Sequence, residues 1–162
     1  MSADTGSVLS ASARKVQEAI EARGFAYRVF ELEVPVRTAA DAALAVGCET
    51  AQIAKSIIFR SQSGRGVLVI TSGANRVNEA RIAELLGEPI GRADPAFVRE
   101  ATGYAIGGIP PLGHATALAT FVDEDLLKLP AIWAAAGHPN ALFQLEPADL
   151  PALSGGRVVK VT

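Results

Sequence analysis

Lys55 opens the otherwise very apolar stretch Ser56-Ile-Ile-Phe59. A lysine placed there either lays its methylene stem along apolar surface with the ammonium in water, or projects into a cleft as a fixed positive charge. In a cleft it would face a carboxyl ester, a phosphate or a developing oxyanion. The second feature is Gly107-Gly-Ile-Pro-Pro-Leu-Gly-His114. Glycines let a backbone approach a ligand and present its N–H groups as donors. Prolines beside such donors hold them in place, which is what electrostatic preorganisation requires; a rigid structural connection accounts for the same composition. His114 and His138 each follow a glycine, so both are expected on loops, each as an acid, a base or a surface residue.

Other chemistries have weaker footing. Ser56, Ser72, His114, Asp123 and Asp125 contain the residue types of a hydrolase triad, yet no Gly-x-Ser-x-Gly elbow presents a nucleophile. Cys48 has no neighbouring histidine or basic residue to activate it and reads as a small buried side chain at a helix end. Asp123-Glu-Asp125 reads as the cap and charged first turn of a short helix rather than a cation site. One cysteine and two histidines, far apart in the chain, are too few for a dedicated zinc site, and no metal or cofactor is expected. The loop Ser61 to Gly66 lacks the Gly-Lys-Ser/Thr ending of a phosphate loop and reads as a plain turn.

The elements that must position these residues follow from local signals. Val16, Ala19 and Ile20 recur at helical spacing from Ser12 to a stop at Gly24. Phe25 to Phe30 is rich in aromatic and β-branched types and is read as a strand. Thr38 caps an alanine-rich helix, Ala39 to Val46, ended by Gly47, and a short helical turn, Thr50 to Ala54, leads into the Lys55 strand. Lys55 to Arg60 and Val67 to Thr71 form a hairpin expected at the sheet centre. Asn78 caps a helix closed by Gly87, and Asp94-Pro95 starts another ending near Gly103. Further strands are expected at Tyr104 to Ile106, Ala115 to Val122, Ala131 to Ala135, Leu142 to Leu145 and Val158 to Val161, with a short helix from Pro147. Helices and strands interleave without a regular βαβ rhythm or internal repeat, so an α/β domain with a mixed sheet flanked by helices is expected.

Composition sets the outer bounds. A chain of 162 residues, 49% hydrophobic and 20% charged, suits one domain over residues 1–162, with Met1 to about Gly6 a frayed terminus. No apolar run is long enough to span a bilayer and the start lacks the pattern of a signal peptide, so a soluble, cytoplasmic protein is expected. A formal net charge of -2 argues against a broad basic surface that tracks nucleic-acid backbone, DNA included. Contact with an RNA should be confined to a small part of it.

Taken in order, several segments resemble the YbaK/prolyl-tRNA-editing-associated family. They are Gln52-Ile-Ala-Lys-Ser-Ile57, Ser72-Gly-Ala-Asn75, Gly107 to Gly113, Val122-Asp-Glu-Asp-Leu-Leu127, and Ala136-Gly-His-Pro-Asn140 before Leu145 to Leu150. The resemblance spans roughly Val34 to Leu150. It implies a single α/β domain with a mixed, partly barrel-like sheet, either free-standing or fused to a synthetase. It also implies deacylation of mischarged tRNA, with the acceptor end of the tRNA as partner and a synthetase as a further one. Lys55 matches the family's strand lysine, which contacts the terminal phosphate or ester region. Gly107, Gly108, Ile109, Pro110 and Gly113 match the loop that closes over the aminoacyl group, with Gly107 and Gly108 read as catalytic backbone. Ser72 and Gly73 match the stretch beside the adenosine. An aminoacyl ester is already activated, so a positioned water, a polarised carbonyl and oxyanion donors suffice without a protein nucleophile. The adjacent ribose hydroxyl helps to orient that water in substrate-assisted schemes for the family.

One departure bears on the substrate. Members described as cysteinyl-tRNA deacylases carry a serine before the loop proline, where this chain has Ile109-Pro110-Pro111, which argues against a cysteine-type assignment. Gly137-His138-Pro139 resembles members acting on prolyl-tRNA synthetase errors or on Ser/Thr-type errors, which makes His138 a substrate-binding candidate. The class of amino acid, among Ala, Ser, Thr, Cys and Pro, stays open. A non-catalytic module that binds an aminoacyl group or nucleotide for a synthetase partner is the alternative.

Overall fold

Helix ends follow the side chains able to satisfy them. In the computed structural model, which describes residues 8–162, helix α1 (Ala11–Ala22) starts at Ser10, whose side chain accepts from the Ala13 N–H. The expected fraying of Met1 to Gly6 lies outside the described residues. Thr38 caps α2 (Ala39–Val46), Asn78 caps α3 (Glu79–Leu86) and Asp94 caps α4 (Pro95–Thr102), each through a side-chain oxygen that accepts an otherwise free backbone N–H. These last three end on glycines in the left-handed region, Gly47, Gly87 and Gly103. A fifth helix, α5 (Leu150–Ser154), follows a 3-10 turn at Pro147–Asp149.

Among the described residues the sheet has eight strands: β1 (Phe30–Glu31), β2 (Ile53–Ser61), β3 (Gly66–Ser72), β4 (Ile90–Arg92), β5 (Ala119–Asp123), β6 (Ile132–Ala135), β7 (Ala141–Leu145) and β8 (Arg157–Val159). Its order is β1-β7-β6-β2-β3-β5-β8, with β4 pairing β2 off that path. The β2–β6, β3–β5 and β5–β8 pairs are parallel and the rest antiparallel, so the sheet is mixed and helix-flanked. The β2–β3 hairpin lies at its centre, as its apolar composition requires. No helix among the described residues is long and apolar enough to cross a membrane.

The strand expected over Phe25 to Phe30 shrinks to its last residue plus Glu31. Gln17 explains the difference: its amide donates to the Tyr27 carbonyl and accepts from the Val29 N–H, so α1 satisfies backbone that a strand neighbour would otherwise have to. Phe25 stacks on Tyr27, and both cover the main core. No strand forms at Tyr104 to Ile106 either. Thr102 Oγ1 donates to the Tyr104 carbonyl and accepts its N–H, and the Ala105 carbonyl accepts from Gly108, which makes a turn. The strand expected from Ala115 starts only at Ala119, because the Ala115 and Thr116 N–H groups bond the carbonyls of Thr102 and Ala101. The strand β4 was not foreseen; three residues containing a glycine carry little periodicity.

Alternation along β2 and β3 divides the interior. Ala54 and Ile58 face a core built with Val16 and Ile20 of α1, joined across the hairpin by Leu68 and Ile70. Phe59 faces a second cluster with Val67, Val69 and Ile82 of α3, while Ile53 packs with Val36, Ala42, Ala43 and Leu142 under α2.

Candidate active site

β2 is paired unequally on its two edges. On one side β3 runs beside it from Ala54 to Arg60. On the other, β6 covers Ile53 and Ala54, and β4 covers Phe59 to Ser61. No strand among the described residues pairs with that edge between Lys55 and Ile58. A cleft of about 440 Å³ occupies this split, within the usual range of small-ligand sites. Because it lies at a strand edge, both faces of β2 contribute to it, and residues 55 to 58 all line it.

Its two ends differ in chemistry. Lys55, Arg37 and the first turn of α2, from Thr38, form a cationic side, and no carboxylate among the described residues lines the cleft. The positive end of the α2 dipole adds to that field, so a phosphate or carboxyl oxygen is the ligand it favours. Ile58, Ala93, Val98, Ile106 and Ile109 form an apolar side, with Pro139 and Leu142 completing the walls. Lys55 is thus both in the cleft and exposed to water, and it makes no ion pair among the described residues.

Of the residues singled out in sequence, Lys55, Ser56, Gly107 and Ile109 meet in this cleft; the others lie outside its lining. Gly108 is buried behind the wall. Its N–H donates to the Ala105 carbonyl at 3.1 Å and its own carbonyl accepts from Gly137 at 2.8 Å. Gly108 therefore has no spare backbone donor for an oxyanion. The N–H groups of Gly107 and Ile109 have no acceptor among the described residues. Gly108 has to be glycine for a different reason: an added Cβ would lie 2.9 Å from the Cα and N of His138.

Pro110 is buried, and its carbonyl accepts from His114 Nε2 at 2.7 Å, which braces the loop from inside. Burial lowers the His114 pKa, more than this hydrogen bond raises it, so the ring is neutral at neutral pH. The surface reading of His114 is corrected accordingly: it is a half-buried strut. Gly113, at φ 76, presses on α1, where its Cβ would come 3.1 Å from that of Ala19. His138 is exposed and its Nδ1 accepts from the Asn140 N–H at 3.1 Å; its neighbour Pro139 lines the cleft.

Ser72 and Gly73 lie outside the cleft lining, under the start of α2. Ser72 Oγ donates to the Ala51 carbonyl at 2.7 Å, and a Cβ on Gly73 would meet the Thr50 carbonyl oxygen at 2.5 Å. No triad forms among the described residues. Asp123 is buried and accepts from Thr71 Oγ1, the Ser72 N–H, Asn75 and the Asp125 N–H, so it ties β3 to β5 and caps the 3-10 turn Glu124–Lys128, as its cap reading held. Burial, with Glu49 adding to it, raises the Cys48 thiol pKa, consistent with an inert side chain. No cluster of three His, Cys, Asp or Glu among the described residues could hold a metal ion.

Arg37 and Asn140 escaped the sequence reading as site residues, and Ser56 entered it only as a triad type. Arg37 carried one available signal, a cation just before a helix cap. Ser56 carried another, a lone hydroxyl in an apolar strand. Asn140 carried none: its side-chain oxygen accepts from the Val36 N–H and its carbonyl from Leu32, holding the Val36–Arg37 wall against the 136–140 turn.

Known proteins are similar to this chain in sequence and fold. The family model for the aminoacyl-tRNA editing domain matches residues 33–153. A crystal structure of a candidate trans-editing enzyme for prolyl tRNA synthetase superposes with a TM-score of 0.91 at 48% identity, covering 96% of this chain and 99% of that one. The uncharacterized protein YwhH of Bacillus subtilis is 28% identical over 80% of this chain and 83% of its own length. A protein of Enterococcus faecalis provisionally described as the Cys-tRNA(Pro)/Cys-tRNA(Cys) deacylase EbsC is 22% identical over 77% of each chain. The family model spans well over half of the chain, and the chain belongs to the aminoacyl-tRNA editing domain family.

Proposed function

We propose that this chain is a free-standing trans-editing hydrolase that removes the wrong amino acid from the acceptor end of a tRNA, in the cytoplasm and in the service of prolyl-tRNA synthetase. The observation that carries the reading is the cleft at the open edge of β2, cationic on one side and apolar on the other, with no carboxylate and no assembled nucleophile among the described residues that line it. A terminal adenosine with its phosphate suits the side of Lys55 and Arg37. A small aminoacyl group suits the side of Ile58 and Ile109.

In this reading water attacks the ester carbonyl, and negative charge grows on its oxygen. Lys55 and the free N–H groups of Gly107 and Ile109 stabilise that charge. The carbon–oxygen bond to the ribose then breaks, the ribose oxygen takes up a proton, and the amino acid leaves as its carboxylate. Because the ester is already activated, positioning and oxyanion stabilisation supply the acceleration without a covalent intermediate. Ser72, Gly73 and His138 act as supports of the cleft wall or as outer contacts to the adenosine. A second sieve of this kind answers a real need, since a synthetase pocket separates side chains that differ by one methylene by only about 1–3 kcal/mol.

The test is a panel of alanyl-, seryl-, threonyl-, cysteinyl- and prolyl-tRNAs incubated with purified protein, with ester loss followed over time. Hydrolysis of one or more of the panel supports the reading. Failure to hydrolyse any would reassign the chain as a non-catalytic module that binds an aminoacyl or nucleotide group.

A further inference from the structure

Ser56 is the polar group in the cleft that the mechanism leaves without a task. Its Oγ is closed to water as it stands and has no hydrogen-bond partner among the described residues, while the residue itself lines the cleft, so a turn about the Cα–Cβ bond is what would present the hydroxyl to a ligand. Register fixes its surroundings. Ser56 lies opposite Ile70, and Ile58 opposite Leu68, on the face of β2 that carries Ala54 and Ile58 into the main core. Ala93, Val98 and Ile109 belong to that same core and line the same part of the cleft. A hydroxyl among these groups loses its water without gaining a partner, a state that native interiors rarely tolerate without a reason. An incoming ligand that completes the bond removes the penalty.

The two faces of β2 identify which part of the ligand that is. Lys55, one residue earlier, projects to the opposite face, as do Ile53 and Ile57. The phosphate and ester end of the substrate belongs on the Lys55 side, with Arg37 and the α2 start. The amino acid's own side chain is left to the apolar chamber of Ile58, Ala93, Val98, Ile106 and Ile109, where Ser56 supplies the one polar side chain.

We propose that Ser56 is a specificity-determining residue whose Oγ hydrogen-bonds the side chain of the bound amino acid, which selects small hydroxyl-bearing residues, serine or threonine, over alkyl residues of similar shape. This rests on the aminoacyl-tRNA reading of the cleft and names its substrate class. The selection arises because an alkyl side chain in the same place leaves the buried hydroxyl unsatisfied.

The experiment compares wild type with Ser56→Ala and Ser56→Thr on seryl- against alanyl-tRNA and threonyl- against valyl-tRNA, the second pair being nearly isosteric. Urea midpoints establish that each variant is folded. Ser56→Ala should lower both hydroxyl-to-alkyl rate ratios about three- to tenfold, the range expected for one neutral hydrogen bond. Ser56→Thr, which keeps the hydroxyl, should hold the ratios closer to wild type. An equal loss on all four substrates would overturn the proposal and move Ser56 to the attacking water or the ester. Unchanged rates in Ser56→Ala would make it structural. If wild type cleaves none of the four, the hydrolase reading fails by itself. The Ser56 contact is then read from calorimetric binding of the non-hydrolysable amides 3′-seryl- and 3′-alanyl-amino-3′-deoxyadenosine. A seryl preference that disappears in Ser56→Ala upholds the contact, and equal affinity of wild type for the two amides overturns it.

Discussion

Gly108→Ala probes whether the glycine-proline loop works through its fit to the neighbouring turn. The new Cβ would lie 2.9 Å from the Cα and N of His138 and 3.0 Å from its carbonyl carbon, where ordinary contact begins at 3.4 Å. Every atom it meets is backbone, so no rotamer change relieves the clash, and the two segments must part by the shortfall of about 0.5 Å. Overpacking of this kind costs about 1–3 kcal/mol. Parting also strains the bond from the Gly137 N–H to the Gly108 carbonyl, worth about 0.5–1.5 kcal/mol more if it is lost. Gly107, Ile109 and Pro139 line the cleft on either side of this seam, so the wall moves with it. Reacting groups misplaced by about 1 Å can lose a hundredfold in rate, and half that displacement should lose about tenfold. The urea midpoint should fall with an unchanged slope, and deacylation of the preferred aminoacyl-tRNA should slow in the same variant. Gly107→Ala is a control for the midpoint alone, since its N–H belongs to the proposed oxyanion site: its Cβ meets only Pro139 Cγ, at 3.8 Å, but φ 95 imposes backbone strain of about 1–2 kcal/mol. A Gly108→Ala protein with the wild-type midpoint and the wild-type rate would refute the reasoning.

Lys55→Ala should slow deacylation about a hundredfold or more while leaving the urea midpoint near wild type, because the lysine is exposed and makes no ion pair among the described residues. Normal turnover in the folded variant would remove Lys55 from the mechanism. Ile109→Ala should enlarge the apolar side of the cleft and shift the ratio of rates toward bulkier aminoacyl groups, within the limits of about 10 to 200 per methylene. An unchanged ratio would place the size filter elsewhere in the cleft wall. His114 predicts a pH effect on stability: burial holds its folded pKa below the ordinary 6.5, so its contribution is complete above that value and is lost as pH falls through the depressed one. Thermal scans between about pH 7.5 and about pH 5 should show a larger fall in Tm for wild type than for His114→Gln, and equal falls would count against the buried strut.

Under the proposed function, the cleft would let a chain of net charge -2 serve a nucleic-acid substrate. Counterion release scales with the number of phosphates neutralised. A site that offers Lys55 and Arg37 to the terminal nucleotide needs few such contacts and little basic surface elsewhere. Binding should accordingly depend weakly on salt.

By itself the sequence determined what is settled within a few residues. Thr38, Asn78 and Asp94 start helices, and Gly47, Gly87 and Gly103 stop them, because capping is a contact between a side chain and backbone only two or three positions away. The β2–β3 hairpin was legible for the same reason, its two apolar runs being joined by one short loop. The ordered motifs from Gln52 to Leu150 likewise carried the family and the role expected of Lys55. Tertiary structure decided what depends on distant partners. Phe25 to Val29 has strand-like composition, but the Gln17 amide takes its backbone. Gly108 looked like an oxyanion donor until Ala105 proved to hold its N–H. The split along β2 exists because β6 leaves at Ala54 and β4 arrives only at Phe59, strands remote in sequence whose pairing no local pattern announces. That split gives Lys55 a cleft to line and leaves Ser56 beside it without a partner among the described residues, since a hydroxyl is satisfied or orphaned only by what folding brings next to it.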